Sequence, residues 1–205
     1  GTTNDILTAT ISPTSGYTGA VFNVGEISNK GVELMLNYRF GSPTGFMWEP
    51  GINFAYNKSF VKALYGDLSQ ISVDNARTQT AYIAQEIGKA YSQLQVVAYK
   101  RNGAGQVVFD PVSGLPEKAD KLKDMGSGVS PYTAGFSNSF RYRNFTLNML
   151  IDGKFGGVIF SGTEGLAYRY GLSKGTLPGR ETGVVGQGVV EGGQTPNTKN
   201  VQAEA

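Results

Sequence analysis

The chain has 205 residues, with 18 Lys or Arg against 16 Asp or Glu, so a formal charge of +2 provides neither the basic footprint of a nucleic-acid binder nor an acidic tail. It contains no cysteine and no histidine, which removes disulfide scaffolds, Cys–His and Ser–His–Asp catalysis and the ordinary zinc ligand sets. A mean hydropathy of -0.21 and the lack of an apolar run of roughly 18 residues or more exclude transmembrane helices but not a barrel, because strand alternation hides an apolar face from averages.

The first strong pattern runs from Lys30 to Tyr56. Even positions from Val32 to Phe40 and from Phe46 to Tyr56 are apolar or aromatic, Pro50 excepted, while odd positions carry Glu33, Asn37, Arg39, Glu49 and Asn53. The turn-type residues Gly41, Ser42, Pro43, Thr44 and Gly45 separate the two runs, which are therefore expected to be antiparallel strands with one apolar face. A period of two puts Leu34, Leu36, Tyr38, Trp48, Ile52 and Phe54 on one side and Glu33, Arg39, Glu49 and Asn53 on the other. Each run is about ten residues, against about five or six for an ordinary globular strand and about 9–11 for a tilted strand crossing a membrane. Tyr38, Phe40, Phe46 and Trp48 bracket the turn, where an interfacial aromatic girdle would lie. Taken alone, the same alternation also fits a soluble sandwich hairpin whose aromatic face is core.

Alternation fades from Ile71 to Lys89. A strand is expected at Tyr91–Lys100, then a turn at Arg101–Gly105, a short strand at Val107–Phe109, and a loop rich in Pro, Gly and charge from Asp110 to Pro131, long enough to be functional or mobile rather than connective. A second hairpin follows. Phe136, Phe140 and Tyr142 are apolar on even positions, and after Arg143–Asn144 the phase flips to Phe145, Leu147, Met149 and Ile151. A two-residue turn demands that flip and places Tyr142 beside Phe145. From Gly153 to Ala205 the chain is glycine-rich, with Gly192 and Gly193 among the last, and lacks sustained alternation, so an irregular segment is expected there.

Chemistry-bearing constellations are few. Asp110, Glu117, Asp120 and Asp124 crowd one loop, but their spacing fits no calcium-loop template and Lys118, Lys121 and Lys123 interleave with them, as on a solvated charged surface. Gly186–Gln187–Gly188 lacks the strand-before, helix-after context of a nucleotide fingerprint and reads as flexible chain. No catalytic residue, metal site or cofactor is indicated. Tyr82, Tyr91, Tyr99, Tyr132, Tyr168 and Tyr170 present flat faces with polar tips suited to stacking on a substrate or packing on a partner, with girdle and loop packing as the alternative role.

Several segments resemble a known family. Gly16–Tyr17, the run Asn23–Val24–Gly25–Glu26–Ile27–Ser28–Asn29–Lys30–Gly31–Val32–Glu33–Leu34, then Trp48, Asn53, Tyr56–Asn57–Lys58, Val61 and Leu64 are similar to the barrel region of SusC/RagA-type TonB-linked outer-membrane transporters. Gly114–Leu115–Pro116, Ser130–Pro131, Gly135, Ser137–Asn138, Tyr142, Phe145 and Ile151–Asp152–Gly153–Lys154–Phe155–Gly156–Gly157 resemble the same family's late strands and loops. The resemblance implies an all-β fold: residues 1–205 as part of the C-terminal half of a barrel of about 22 strands, with long extracellular loops and without the family's plug. It implies turns at Gly41–Gly45 and Arg143–Asn144 facing the periplasm, and segments Ile71–Tyr91 and Arg101–Pro131 facing outside. The implied function is non-enzymatic: energised import of an oligosaccharide or peptide across the outer membrane of a Bacteroidota-like Gram-negative cell. Its implied partners are outer-membrane lipid, a SusD-like surface lipoprotein, TonB and the glycan or peptide itself, and no nucleic acid. The competing class is a soluble β-sandwich carbohydrate-binding module without catalysis, in which the same stripes would touch each other rather than lipid.

Overall fold

The computed structural model describes residues 2–10, 14, 16, 19–78, 80–190, 192 and 195–202; Tyr17, Gly193 and Ala205, which figure in the sequence reading, lie outside them. In chain order the strands are β1 (Thr2–Thr10), β2 (Gly19–Asn37), β3 (Phe40–Gly41), β4 (Phe46–Leu64), β5 (Gln70–Asn75), β6 (Ala81–Glu86), β7 (Gln93–Val96), β8 (Val108–Phe109), β9 (Lys123–Ser127), β10 (Tyr132–Tyr142) and β11 (Phe145–Phe155). A helix α1 (Gly162–Arg169) and the short strands β12 (Val184–Val185), β13 (Val189–Val190) and β14 (Asn200–Val201) follow. The chain divides into two compact units: residues 1–74, 83–94 and 125–159, and residues 75–82, 95–124 and 160–205.

The first unit is built on a six-stranded antiparallel sheet ordered β1-β2-β4-β10-β11, with β3 also paired to β4. Both alternating runs become strands, and their register carries the apolar stripes from strand to strand. Leu34 pairs with Phe54 and Leu36 with Ile52; Ile52 pairs with Phe136 and Trp48 with Phe140; Phe136 in turn pairs with Ile151. Directly opposed residues share a face, so the expected apolar set lies on one side. Tyr38 joins it through Phe40, whose ring is 4.5 Å away, and Phe40 stacks on Trp48 at 5.1 Å. Arg39 and Glu49 form an ion pair on the opposite face. The two-residue turn holds as well: Tyr142 pairs with Phe145, and Arg143 takes the left-handed φ of 52° that the first turn position requires.

The strand β2 stops at Asn37 rather than running on to Phe40. Tyr38 donates its N–H to the Pro50 carbonyl at 3.0 Å, and Pro50, having no N–H, cannot return the bond. The ladder therefore breaks for two residues without changing register, since Phe40 pairs with Trp48 in phase with Leu36 and Ile52. At its other end β4 extends beyond the alternating run, so that β2 and β4 each span 19 residues, roughly 60 Å at about 3.3 Å per residue.

Along this extension β2 and β4 approach closely at glycine. A Cβ on Gly31 would lie 2.4 Å from the Tyr56 carbonyl oxygen and 3.2 Å from the Asn57 Cα. Both are backbone atoms that cannot rotate aside. Gly31→Val in the full-length protein is therefore expected to lose about 1–3 kcal/mol, measured as a lower urea midpoint for loss of the heat-modifiable folded band on a gel.

The region from Ile71 to Lys89, where alternation fades, is not strand-free. The strands β5, β6, β7 and β9 form a four-stranded sheet in that order. Its buried positions are filled by Ala81, Ala84, Gln85, Gln93, Leu94 and Gln95, and the amides are satisfied: Gln85 accepts from the Ser92 N–H at 3.0 Å, Gln93 donates to the Ala90 carbonyl at 2.9 Å and Gln95 to Asp124 at 2.8 Å. In the second unit, β8 pairs in parallel with β13 and β12 pairs with β14. The glycines of Gly186–Gln187–Gly188 are packed there rather than loose. A Cβ on either would come within 2.2 Å and 2.6 Å, respectively, of the buried Phe109 ring, and Asn197 ties the segment down by donating to the carbonyls of Gly186 and Gly188. The helix α1 starts at Ser161, whose hydroxyl accepts the Glu164 N–H at 3.3 Å.

Candidate functional site

The apolar face of the long sheet is bounded by two transverse aromatic rows. Phe46, Tyr142 and Phe145 are in mutual register at one end, and Tyr56, Tyr132 and Phe155 at the other. On each of β4, β10 and β11 the two rows lie ten residues apart. Ten residues rise about 33 Å, and at a strand tilt of about 40° they cover about 25 Å, the height of the apolar band of an outer-membrane barrel. Between the rows the face carries Leu34, Leu36, Trp48, Ile52, Phe54, Phe136, Phe140, Leu147, Met149 and Ile151. Apart from the half-buried Trp48 and Phe140, these side chains are open: Leu36 is 56 % exposed, Ile151 59 % and Leu147 63 %. A sandwich would bury them beneath a second sheet. A continuous apolar surface of this extent is stable only against a partner or a lipid phase.

Of the polar groups on this face, the buried Asn138 is satisfied only at its oxygen, its Nδ2 having no hydrogen-bond partner among the described residues. The Trp48 indole N–H donates to Asn138 Oδ1 at 3.0 Å, beneath the parallel stack of Trp48 and Phe140 at 6.0 Å. Tyr56 and Tyr132 stack at 4.9 Å within the second aromatic row, which leaves their hydroxyl tips to serve the polar side of an interface.

The opposite face is mostly polar or small, with Met35, Met47 and Leu150 as its large apolar members. Across neighbouring strands it presents Asn37, Gly51 and Ser137 in one row, and Met35, Asn53, Gly135 and Asp152 in the next. Atoms built on Gly51 would meet Asn37 Oδ1 and Ser137 Oγ at 2.5 Å each, and on Gly135 would meet Asn53 Oδ1 at 2.6 Å, so the glycines accommodate their polar neighbours. With the Arg39–Glu49 pair and Arg141, this is the wet side that a barrel lumen requires.

The connections Tyr38–Gly45 and Arg143–Asn144 leave one end of the sheet, and the chain between β4 and β10 leaves the other. Of the six tyrosines singled out in sequence, Tyr91 and Tyr132 line one cavity of about 340 Å³, with Tyr56, Ser59, Ala90 and Pro131. It opens where β10 parts from β4 and Tyr91 takes over that edge, donating its N–H to the Ser59 carbonyl at 3.0 Å. Tyr132 itself belongs to the apolar face. Tyr82 is half-buried on β6, while Tyr99, Tyr168 and Tyr170 are exposed in the second unit, Tyr170 with the Arg169 guanidinium 5.9 Å from its ring. The carboxylates of the charged loop are engaged separately. The N–H of Ser113, then its hydroxyl, hold Asp110 below the usual carboxylate range, with the Val112 N–H adding to them. Glu117 pairs with Lys100 at 2.6 Å. Sequence reading missed Lys30 and Lys58, which continue the even-numbered phase of the apolar stripe one step past Val32 and Tyr56; extending that phase beyond its last apolar residue would have found them.

Comparisons with known proteins agree with this geometry. No family model matches the chain. It is 29% identical over 172 residues to TonB-dependent receptor P3 of Formosa agariphila, a match covering 73% of this chain and 17% of the relative. It is 22% identical over 204 residues to TonB-dependent receptor P39 of the same organism, covering 78% of this chain and 20% of that protein. Among solved structures it is similar to the RagAB peptide transporter, with a TM-score of 0.53 and 21% identity over 74% of this chain and 18% of the solved one. It is also similar to the RagAB peptide importer in its closed-closed state, with a TM-score of 0.52 and 21% identity over 76% of this chain and 18% of the solved one. The chain thus spans about a fifth or less of the length of each protein it matches. Sequence likeness and fold together bear out the resemblance: the chain is similar in sequence to parts of TonB-dependent receptors and in fold to part of the RagAB transporter, and its strands form an antiparallel stretch of transmembrane β-barrel wall.

Proposed function

We propose that this chain is part of the C-terminal half of the barrel wall of a receptor in the outer membrane of a Bacteroidota-like cell. The receptor imports an oligosaccharide or peptide, draws its energy through TonB and works with a SusD-like surface lipoprotein. The observation that carries the reading is the open apolar face between two aromatic rows set about one membrane thickness apart, backed by a polar opposite face. The chain's own role is to wall the lumen and to display the long segments, not to catalyse. In this reading the turns at Gly41–Gly45 and Arg143–Asn144 face the periplasm. The segments Ile71–Tyr91 and Arg101–Pro131 then face outside, and Tyr82, Tyr91, Tyr99, Tyr168 and Tyr170 contact substrate or lipoprotein, with Tyr132 at the rim.

Uptake of labelled oligosaccharides and labelled oligopeptides by cells with and without the full-length receptor tests the proposal. One substrate class is expected to lose uptake when the receptor is deleted and again when TonB is depleted. Uptake that survives TonB depletion overturns the energised-import reading. Orientation has its own test, made in a full-length receptor in which any other cysteine is replaced by serine; this chain itself has none. Gly103→Cys is expected to react with an impermeant maleimide on intact cells, and Ser42→Cys only after the outer membrane is permeabilised.

A further inference from the structure

The apolar face does not end at the second aromatic row; it changes character there. One step beyond Val32 and Tyr56, Lys30 and Lys58 are directly opposed across β2 and β4. Like charges opposed on neighbouring strands repel. Among the described residues, neither lysine has an acidic side chain within ion-pair distance. Lys58 lies over the Phe60 ring at 4.7 Å, and the nearby Lys62 is bound to Glu26 at 3.0 Å. These residues enclose a depression of about 480 Å³ lined by Ser28, Lys30, Val32, Tyr56, Lys58 and Phe60, with Gly31 and Lys62 completing it. Its floor, at Val32 and Tyr56, is continuous with the lipid-facing band. Its upper part carries the ammonium groups.

We propose that this depression is a binding site for the phosphate-bearing headgroup of an outer-leaflet lipid. The phosphate bridges Lys30 and Lys58, relieving their repulsion, while the acyl chains run down the apolar face past Val32 and Tyr56. A small anion accounts for the lysines alone; the apolar floor, opening without a break onto the membrane band, selects an amphiphile. Clustered cations immediately outside a membrane's apolar zone attract anionic headgroups in this way. The leaflet assigned rests on the outward placement of this end of the sheet proposed above.

The test uses the purified full-length receptor in detergent, with bisphosphorylated lipid A as the probe, reading the thermal midpoint as lipid is titrated. Lipid A is expected to raise the midpoint saturably, and the K30Q/K58Q double variant to weaken its apparent affinity about tenfold or more. Lys154→Gln, at the same end of the sheet but on the polar face, should leave that affinity unchanged. Dephosphorylated lipid A should bind more weakly and inorganic phosphate should give no shift. Equal affinity of wild type and K30Q/K58Q overturns the site. Equal binding of the dephosphorylated lipid overturns the phosphate's role, and a full shift from inorganic phosphate reduces the site to one for a free anion. Should the double variant fail to give a folded band, the salt dependence of wild-type binding decides: a steep fall is expected for a phosphate contact and a flat response overturns it. Loss of the import reading in the uptake test leaves lipid binding intact, whereas shielding of Gly103→Cys on intact cells overturns only the leaflet.

Discussion

Leu36→Arg in the full-length receptor is expected to destabilise insertion and folding into bilayers by about 2–4 kcal/mol, while Asn37→Arg, one residue along the same strand, should cost far less. Leu36 pairs with Ile52, which pairs with Phe136, and that row lies near the middle of the distance between the two aromatic rows. A guanidinium there faces hydrocarbon, too far from either interface for its stem to reach water fully. Asn37 pairs with Gly51 on the polar face, beside Ser137, where a longer cationic side chain finds solvent. Refolding into vesicles at graded urea concentrations measures both. Equal costs for the two variants would mean that both faces pack against protein, which is the signature of a soluble core and would overturn the membrane wall.

Residues 1–205 expressed alone in water should not form a stable, soluble monomer. In the described sheet β11 pairs only with β10, and β2 from Asn29 to Asn37 pairs only with β4, so long stretches of backbone donors and acceptors are presented at open edges. The apolar face adds a second adhesive surface, with Phe145 80 % exposed and Val32 65 %. Edge pairing and apolar contact are both satisfied by association, so light scattering should find large species in buffer that disperse in detergent. A monodisperse monomer with sharp near-ultraviolet dichroism and no detergent would show that the stripes are covered within the chain itself.

Much of the wall was legible because a strand buried on one face writes its period into the sequence. The alternation of 32–40 and 46–56, the phase flip at Arg143–Asn144 and the clustering of rings near the turns specify β2, β4, β10 and β11 and assign each side chain to a face, since a slip of one residue would exchange the faces. The region between β4 and β10 was not legible in the same way. In β6 and β7 the buried positions other than Leu94 are alanines and glutamines, whose amides are satisfied by Ser92, Ala90 and Asp124, so burial there leaves little apolar trace. The helix α1 did carry a signal, the capping pair Ser161 and Glu164, but the surrounding glycines and the lack of any buried residue on it removed the amphipathic period that confirms a helix.

By itself, then, the sequence determined the long strands, their faces and their membrane-crossing length, because all of these follow from a two-residue period acting within one strand or across a tight turn. Only the tertiary structure decided which strands stand next to one another. Register across distant segments brings Phe136 beside Ile52 and Tyr132 beside Tyr56, opposes Lys30 to Lys58, and sets the Phe109 ring against Gly186 and Gly188. Those meetings depend on the closure of long intervening loops and on close packing between residues far apart in the chain. No local periodicity records them.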